Sequence, residues 1–345
     1  MPGRTTSHRW AARTLFIAGV LATITQADTV AEPYPDMPSI APIGERIGKY
    51  IDIPPAARGP AVDPAKGYRL QDLGDGLYMV TDNIYQSMFL VYDQGVVVVD
   101  APPNYASLIP RAIAEVSRQP VTHVIYSHSH VDHIGGVTAL GGKPVIIAQQ
   151  ETLRLLKRAA DSNRPLPGIT FVDGYTLRLG GKVLELSYHG DGHEPGNIFI
   201  YAPQQRVLMV IDIVFPGWMP WRRFAVAHDV PGYFEQVELI RGLPWTTLVG
   251  GHVARTGTHA DVDLQSEFMR DIKQAAATAL ANTRPGVGMN PLDAGNPWAG
   301  YDNYIDRVAA DCVNAITAKW SKLLAAFDVY AWDQCYSMEQ SLRID

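Results

Sequence analysis

The chain has 345 residues, 47% of them hydrophobic, enough to bury one large core with a smaller accessory unit beside it. A net charge of -6 and a pI near 5.9 offer no basic footprint for a polyanion, so nucleic acid is disfavoured as a partner. With only Cys312 and Cys335 present, neither a disulfide framework nor a thiolate metal cluster explains the fold.

At the N-terminus Arg4, Arg9 and Arg13 precede an apolar run from Thr14 to Ile24, and small residues follow around Ala27. This is the layout of a cleaved secretory signal peptide over residues 1–27, and the run is short for a membrane span. The expected destination is periplasmic or secreted, with no stable membrane insertion after cleavage. In an oxidising compartment Cys312 and Cys335 can pair, with two buried thiols as the alternative. Residues 28–66 are crowded with prolines and have little periodicity, which reads as an extended arm on the surface.

From Tyr68 the character changes. YRLQDLGDGLYMVTD and SMFLVYDQGVVVVDAP are strand-like segments punctuated by glycine turns, the opening hairpins of a first sheet. Asp100 closes the apolar strand Val96 to Val99, a poor place for a carboxylate without a partner. Ser107 to Arg118 reads as a helix leading into a buried strand, Val121 to Tyr126, in a β-α-β passage. At the end of that strand stands SHSHVDHIGG, with His128, His130, Asp132 and His133 inside six residues. On extended chain, positions 128, 130 and 132 project to one side, and a turn after Val131 brings His133 around. Imidazole nitrogen with carboxylate oxygen is the ligand set of zinc and its first-row neighbours, so a metal site is expected here.

A strand at Val145 to Ala148 and a helix from Glu151 to Ala160 follow, then a second run of strands with a turn at Gly180-Gly181. No GxGxxG opening is present, and the pattern fits a layered sandwich better than a doubly wound sheet. His193 lies in GDGHEPGN, a loop whose glycines permit close backbone approach to an ion. Asp212 closes the apolar run Val207 to Ile211, which requires a cation or hydrogen-bond donors. FPGWMPWRRF then places Trp218, Trp221 and Phe224 on a loop leaving the same edge. It reads either as an apolar wall with Arg222 and Arg223 as a carboxylate clamp, or as a loop tucked under the C-terminal helices with its arginines in water. His228 opens a helix that Asp229 can cap. His252 follows another apolar strand and two glycines, whereas His123, His189 and His259 fit surface, pocket or core positions. From Asp261 two helical stretches, separated by a Pro/Gly-rich link over 285–300, carry Trp298, Tyr301, Tyr304 and Trp320. They form a lid over the site or a homodimer contact.

HxHxDH followed by small residues resembles the signature of the metallo-β-lactamase-fold hydrolases. The resemblance covers roughly residues 67–260 and implies an α/β fold, an αββα sandwich with its site at one edge of two sheets. Residues 261–345 lie outside it as a C-terminal helical extension. Carried over, it implies one Zn2+ held by His128, His130 and His193 and a second by Asp132, His133 and His252, with Asp212 between them. Asp100 matches an aspartate that supports the ligands from behind. Two departures stand out, Glu194 where a small hydroxyl residue is usual and Ile211 where a glycine usually precedes the bridging aspartate. The implied chemistry is attack by a hydroxide shared between two ions on an ester, lactone, thioester or amide of a small molecule, with Asp132 as catalytic proton carrier. The alternatives are an iron-dependent dioxygenase of the same fold, with Fe at His128, His193 and Asp212, and a phosphodiesterase or nuclease.

Overall fold

Segments such as GVVVV and SMFLVY are apolar on both faces, which suits strands covered on both sides. The computed structural model describes residues 50–286 and 295–345. The signal peptide expected at 1–27 and the first part of the arm lie outside the described residues.

The first sheet has seven strands in sequence order: β1 (Arg69–Gly74), β2 (Leu77–Thr81), β3 (Gln86–Tyr92), β4 (Gly95–Val99), β5 (Val121–Ile125), β6 (Val145–Gln149) and β7 (Ile169–Phe171). β1 to β4 are antiparallel; β4 to β7 are parallel, so their connections cross the outer face. Those connections carry α1 (Ile109–Val116), the single turn α2 (Val131–Ile134) and α3 (Gln150–Ala159). The β-α-β passage read from the sequence is therefore present.

The second sheet comprises β8 (Gly174–Leu179), β9 (Lys182–Tyr188), β10 (Ile198–Ala202), β11 (Val207–Val210) and β12 (Thr247–Val249), in the order β12-β11-β10-β9-β8. Helical elements on its side are α4 (Arg222–Val226), α5 (Val230–Gly242), α6 (His259–Asn282), α7 (Pro297–Trp320) and α8 (Phe327–Ile344). Asp229 caps α5 by accepting from the Gly232 N–H, as its position suggested. Thr258 and Asp261 form a capping box that starts α6.

Three apolar clusters define four layers. One, including Met88, Val97, Ile125, Ile200 and Met209, lies between the sheets. A second packs α1 against the outer face of the first sheet. The third joins Phe199, Leu208 and Leu248 of the second sheet to Phe268, Ile272, Val308, Trp320 and Met338. The architecture is an αββα sandwich, and its fourth layer is built largely from the C-terminal helices. Cys312 and Cys335 are paired, joining α7 to α8 with Cα atoms 5.9 Å apart. Residues 50–66 lie against the domain through the buried Ala57, whose carbonyl accepts from Trp218 Nε1 at 2.9 Å. Among the described residues no helix is long and apolar enough to cross a membrane.

Candidate metal centre

Four strand ends and one loop converge at a single edge. Asp100 follows β4, Ser127 to His130 follow β5, Asp212 follows β11, His252 follows β12, and His193 sits between β9 and β10. Backbone bonds between the segments fix their register: Ile198 N–H to the Ser127 carbonyl at 3.0 Å, and Gln86 N–H to the Gly251 carbonyl at 2.8 Å. Gly251 has φ +86°, and a Cβ there would meet Ile211 at 2.7 Å, so the approach of His252 depends on glycine. The expected extended chain through 132 is corrected in one respect. After His130 the backbone enters the turn α2, which presents Asp132 and His133 from a helical segment.

All seven residues singled out as ligands gather here, in two groups. His128, His130, His193 and Asp212 form one, Asp132, His133 and His252 the other, with donor atoms in each group within 4.8 Å of one another. Asp212 reaches both. Its Oδ2 lies 3.4 Å from His128 Nε2 and 3.2 Å from the Nε2 atoms of His193 and His133, while Oδ1 lies 2.8 Å from His252 Nε2.

Other partners set which nitrogen points inward. Asp100 accepts from the Ser127 N–H at 2.9 Å and from its hydroxyl at 2.6 Å. With that hydroxyl proton spent, Ser127 Oγ accepts from His128 Nδ1 at 2.8 Å, leaving the Nε2 lone pair facing the cluster. Asp100 thus supports His128 through Ser127, and it also lies 3.9 Å from His133 Nδ1. Glu194 accepts from the Ser129 N–H and hydroxyl at 3.0 and 2.9 Å and stands 3.3 Å from His130 Nε2. His130 therefore turns Nδ1 inward, 3.2 Å from His193 Nε2. His252 gives its Nδ1 proton to the Ile84 carbonyl at 3.2 Å.

The residues fit a divalent cation. The buried His128 Nε2 has no hydrogen-bond partner, and lone-pair nitrogens face one another across the cluster. Tetrahedral metal–nitrogen bonds of about 2.1 Å would set neighbouring donors about 3.4 Å apart, close to the spacings above. Burial, with the neighbouring histidines, holds His128 well below the usual imidazole range, the neutral form a metal needs. Burial works against ionised Asp212, but His133, His252 and His193 outweigh it and hold the carboxyl well below its usual range. His133 responds in the opposite sense: against burial, Asp212 raises it to about 9.

Tyr85, Ser127 and Glu194 are functional neighbours that sequence reasoning did not assign. The Tyr85 ring packs on His252 with centroids 4.7 Å apart, and burial together with the nearby Asp132 carboxylate pushes its hydroxyl up to about 12. Among the described residues the remaining histidines stay outside the cluster. His259 stacks on Trp245 at 3.8 Å, His228 lies 3.3 Å from Asp191, His189 packs on Phe199, and His123 contacts Thr122. Of the loop after Asp212, Trp218 and Trp221 line the cavity over the cluster, while Phe224 is buried among the helices. Arg222 lies 3.4 Å from Asp333 and Arg223 over the Tyr336 ring, both on α8, and neither arginine lines the cavity, so the carboxylate-clamp reading is corrected.

The family model described as the metallo-beta-lactamase superfamily matches residues 80–252, a span that holds every residue of the cluster. The chain is a member of the metallo-beta-lactamase superfamily. Similar proteins include 2,4-dinitroanisole O-demethylase subunit alpha from Nocardioides sp. (strain JS1661), 28% identical over 222 residues that cover 62% of this chain and 65% of the relative. A metallo-beta-lactamase type 2 from Bacteroides fragilis is 31% identical over 137 residues, 39% of this chain and 53% of the relative. The chain thus spans less than two thirds of the length of these curated relatives. Among solved structures, a metallo-beta-lactamase from Pontibacter korlensis superposes with a TM-score of 0.51 at 19% identity, covering 59% of this chain and 99% of that one. That likeness establishes the fold. Superfamily membership together with the His/Asp cluster makes this metallo-beta-lactamase-fold protein a metal-dependent enzyme with a divalent-metal site.

Proposed function

We propose that the protein is a dinuclear zinc hydrolase that cleaves an ester, lactone, thioester or amide bond of a small molecule. The observation that carries this reading is the Asp212 carboxylate, within 3.4 Å of ring nitrogens from both donor groups, where a bridging ligand belongs. Two divalent ions bound there would supply Lewis acidity for the carbonyl and an ionised water as nucleophile. His128, His130 and His193 would hold one ion and Asp132, His133 and His252 the other. Asp132, with its side chain 47% exposed, faces the cavity, where it would carry the proton from the attacking water to the departing atom. The Tyr85 hydroxyl, kept protonated by burial and the Asp132 charge, stands beside that carboxylate as a hydrogen-bond donor.

Metal analysis of the purified protein with a hydrolysis screen tests the proposal. The expected result is two zinc ions per chain and turnover of at least one of nitrocefin, aryl esters, acyl-homoserine lactones or thioesters. One iron per chain with oxygen uptake would instead favour the dioxygenase reading, and phosphodiester cleavage the third. The screen includes 2,4-dinitroanisole, the substrate in the name of the Nocardioides relative. Export is part of the proposal, supported by the Cys312–Cys335 pair, and fractionation of cells carrying the full chain checks it. A homodimer through the C-terminal helices is proposed on the 79% exposure of Trp298, with light scattering as its check.

A further inference from the structure

The cavity that opens on the donor cluster measures about 740 Å³, room for a drug-sized molecule. Its charged and ionisable lining is the cluster where His130, His193, Asp212, His252 and Asp132 meet, with the uncharged polar groups of Asn83 and Tyr85 beside it. The upper wall is formed by Phe215, Trp218, Met219, Trp221, Val329 and Tyr330. Two distant segments build it together. The Met219 N–H donates to the Ala325 carbonyl and the Ala325 N–H to the Gly217 carbonyl, both at 3.0 Å, so the tryptophan loop is stitched to the α7–α8 connection.

Among the described residues neither lysine nor arginine lines this cavity. The nearby cations are engaged elsewhere: Arg222 lies 3.4 Å from Asp333, Arg223 over the Tyr336 ring, and Arg255 bonds Asp261 at 2.6 Å. A carboxylate on the far end of a bound molecule would lose its water against apolar side chains with no counter-charge. A flat uncharged body there gains ring contact and buried area.

We propose that the pocket selects a neutral molecule with an aromatic or alkyl body, seated against Trp218, Trp221 and Tyr330, and rejects the same molecule when that body carries a carboxylate. The inference rests on the hydrolase reading for the bond that is cut, though not for what the pocket binds. It also makes α8 part of the substrate site.

A matched pair tests it: 2-naphthyl acetate against its 6-carboxy derivative as substrates, and 2-naphthol against 6-hydroxy-2-naphthoate as ligands that quench tryptophan fluorescence. With zinc-loaded full-length protein, kcat/KM should favour the neutral ester about 100-fold, and Kd the neutral naphthol at least tenfold. Val329→Arg should shrink both ratios by about tenfold, because it supplies the missing cation, and Trp218→Ala should weaken the neutral ester's apparent affinity, seen as a higher KM. Equal kcat/KM for the two esters, or equal Kd for the two ligands, overturns the inference. If neither ester nor any other substrate of the hydrolysis screen turns over while naphthol alone binds, the hydrolase reading fails and the pocket preference stands.

Discussion

Glu194 shows how one substitution rebuilds the support of a ligand. It occupies a position where the resembling family usually has a small hydroxyl residue, yet its carboxylate reaches 3.3 Å from His130 Nε2 and holds the ring with Nδ1 inward. Carboxylate partners of metal-binding histidines typically contribute a factor of about 10–100 in affinity. Glu194→Ala should therefore lose metal to a competing chelator at concentrations lower by roughly that factor. Glu194→Gln, whose amide oxygen still accepts from Nε2, should fall closer to wild type. Equal chelator resistance in all three would make the contact incidental. His133 gives a pH dependence of defined sign. Asp212 raises it against burial to about 9 in the metal-free protein, so a cation entering below that pH must displace a proton. Metal affinity should rise with pH and level off above about 9. The same shift stabilises the metal-free fold below the ordinary imidazole pKa of about 6.5, and that contribution disappears as pH rises through about 9. Calorimetry in buffers of different ionisation enthalpy should detect proton release at pH 7 and much less at pH 10; no release at pH 7 would contradict the assignment.

Among the elements, α4 depends most on distant support. Arg223, Phe224, Ala225 and Val226 have φ between 51° and 58°, a left-handed turn that side chains with a Cβ disfavour. Gln334 of α8 holds it, accepting from the Phe224 N–H at 2.6 Å and donating to the Pro220 and Trp221 carbonyls at 2.6 and 3.0 Å. Gln334→Ala would strand these groups in a buried setting, an expected loss of about 2–4 kcal/mol on denaturant unfolding. It should also raise substrate KM, because Ala225 and Val226 line the cavity. Unchanged stability would mean that the turn holds itself. None of this was legible in FPGWMPWRRF, since hydropathy carries no signal for a left-handed backbone and the clamp lies 110 residues away from Phe224. The ligands were legible for the opposite reason. Four lie within six residues, and Asp212 and His252 each close an apolar strand, where a polar side chain needs a reason to be. Tyr85 and Ser127 look ordinary in sequence, and Glu194 shows there only as a departure from the family pattern; their roles come from neighbours that only folding supplies.

At the scale of the whole molecule, sequence composition suggested a break near residue 261, but the packing crosses it. One cluster joins Phe199, Leu208 and Leu248 of the second sheet to Phe268 and Ile272 of α6 and to Val308, Trp320 and Met338 of α7 and α8. A sheet with one apolar face bare is not a stable layer in water, so these helices should unfold with the sandwich in one cooperative transition. Ending the chain after Asn282 would expose the inner face of α6, remove Gln334 from α4 and take Val329 and Tyr330 out of the cavity wall. The expected product is insoluble or metal-free. The double variant Cys312→Ser, Cys335→Ser makes a gentler change, opening a covalent loop of sequence separation 23 while leaving the packing in place. It should cost roughly 3 kcal/mol, since the freed unfolded chain gains loop entropy, and still bind metal. The two proteins thus separate covalent tethering from packing. A truncated chain that stayed soluble, bound metal and melted as the full chain does would show that the helices are an appendage after all.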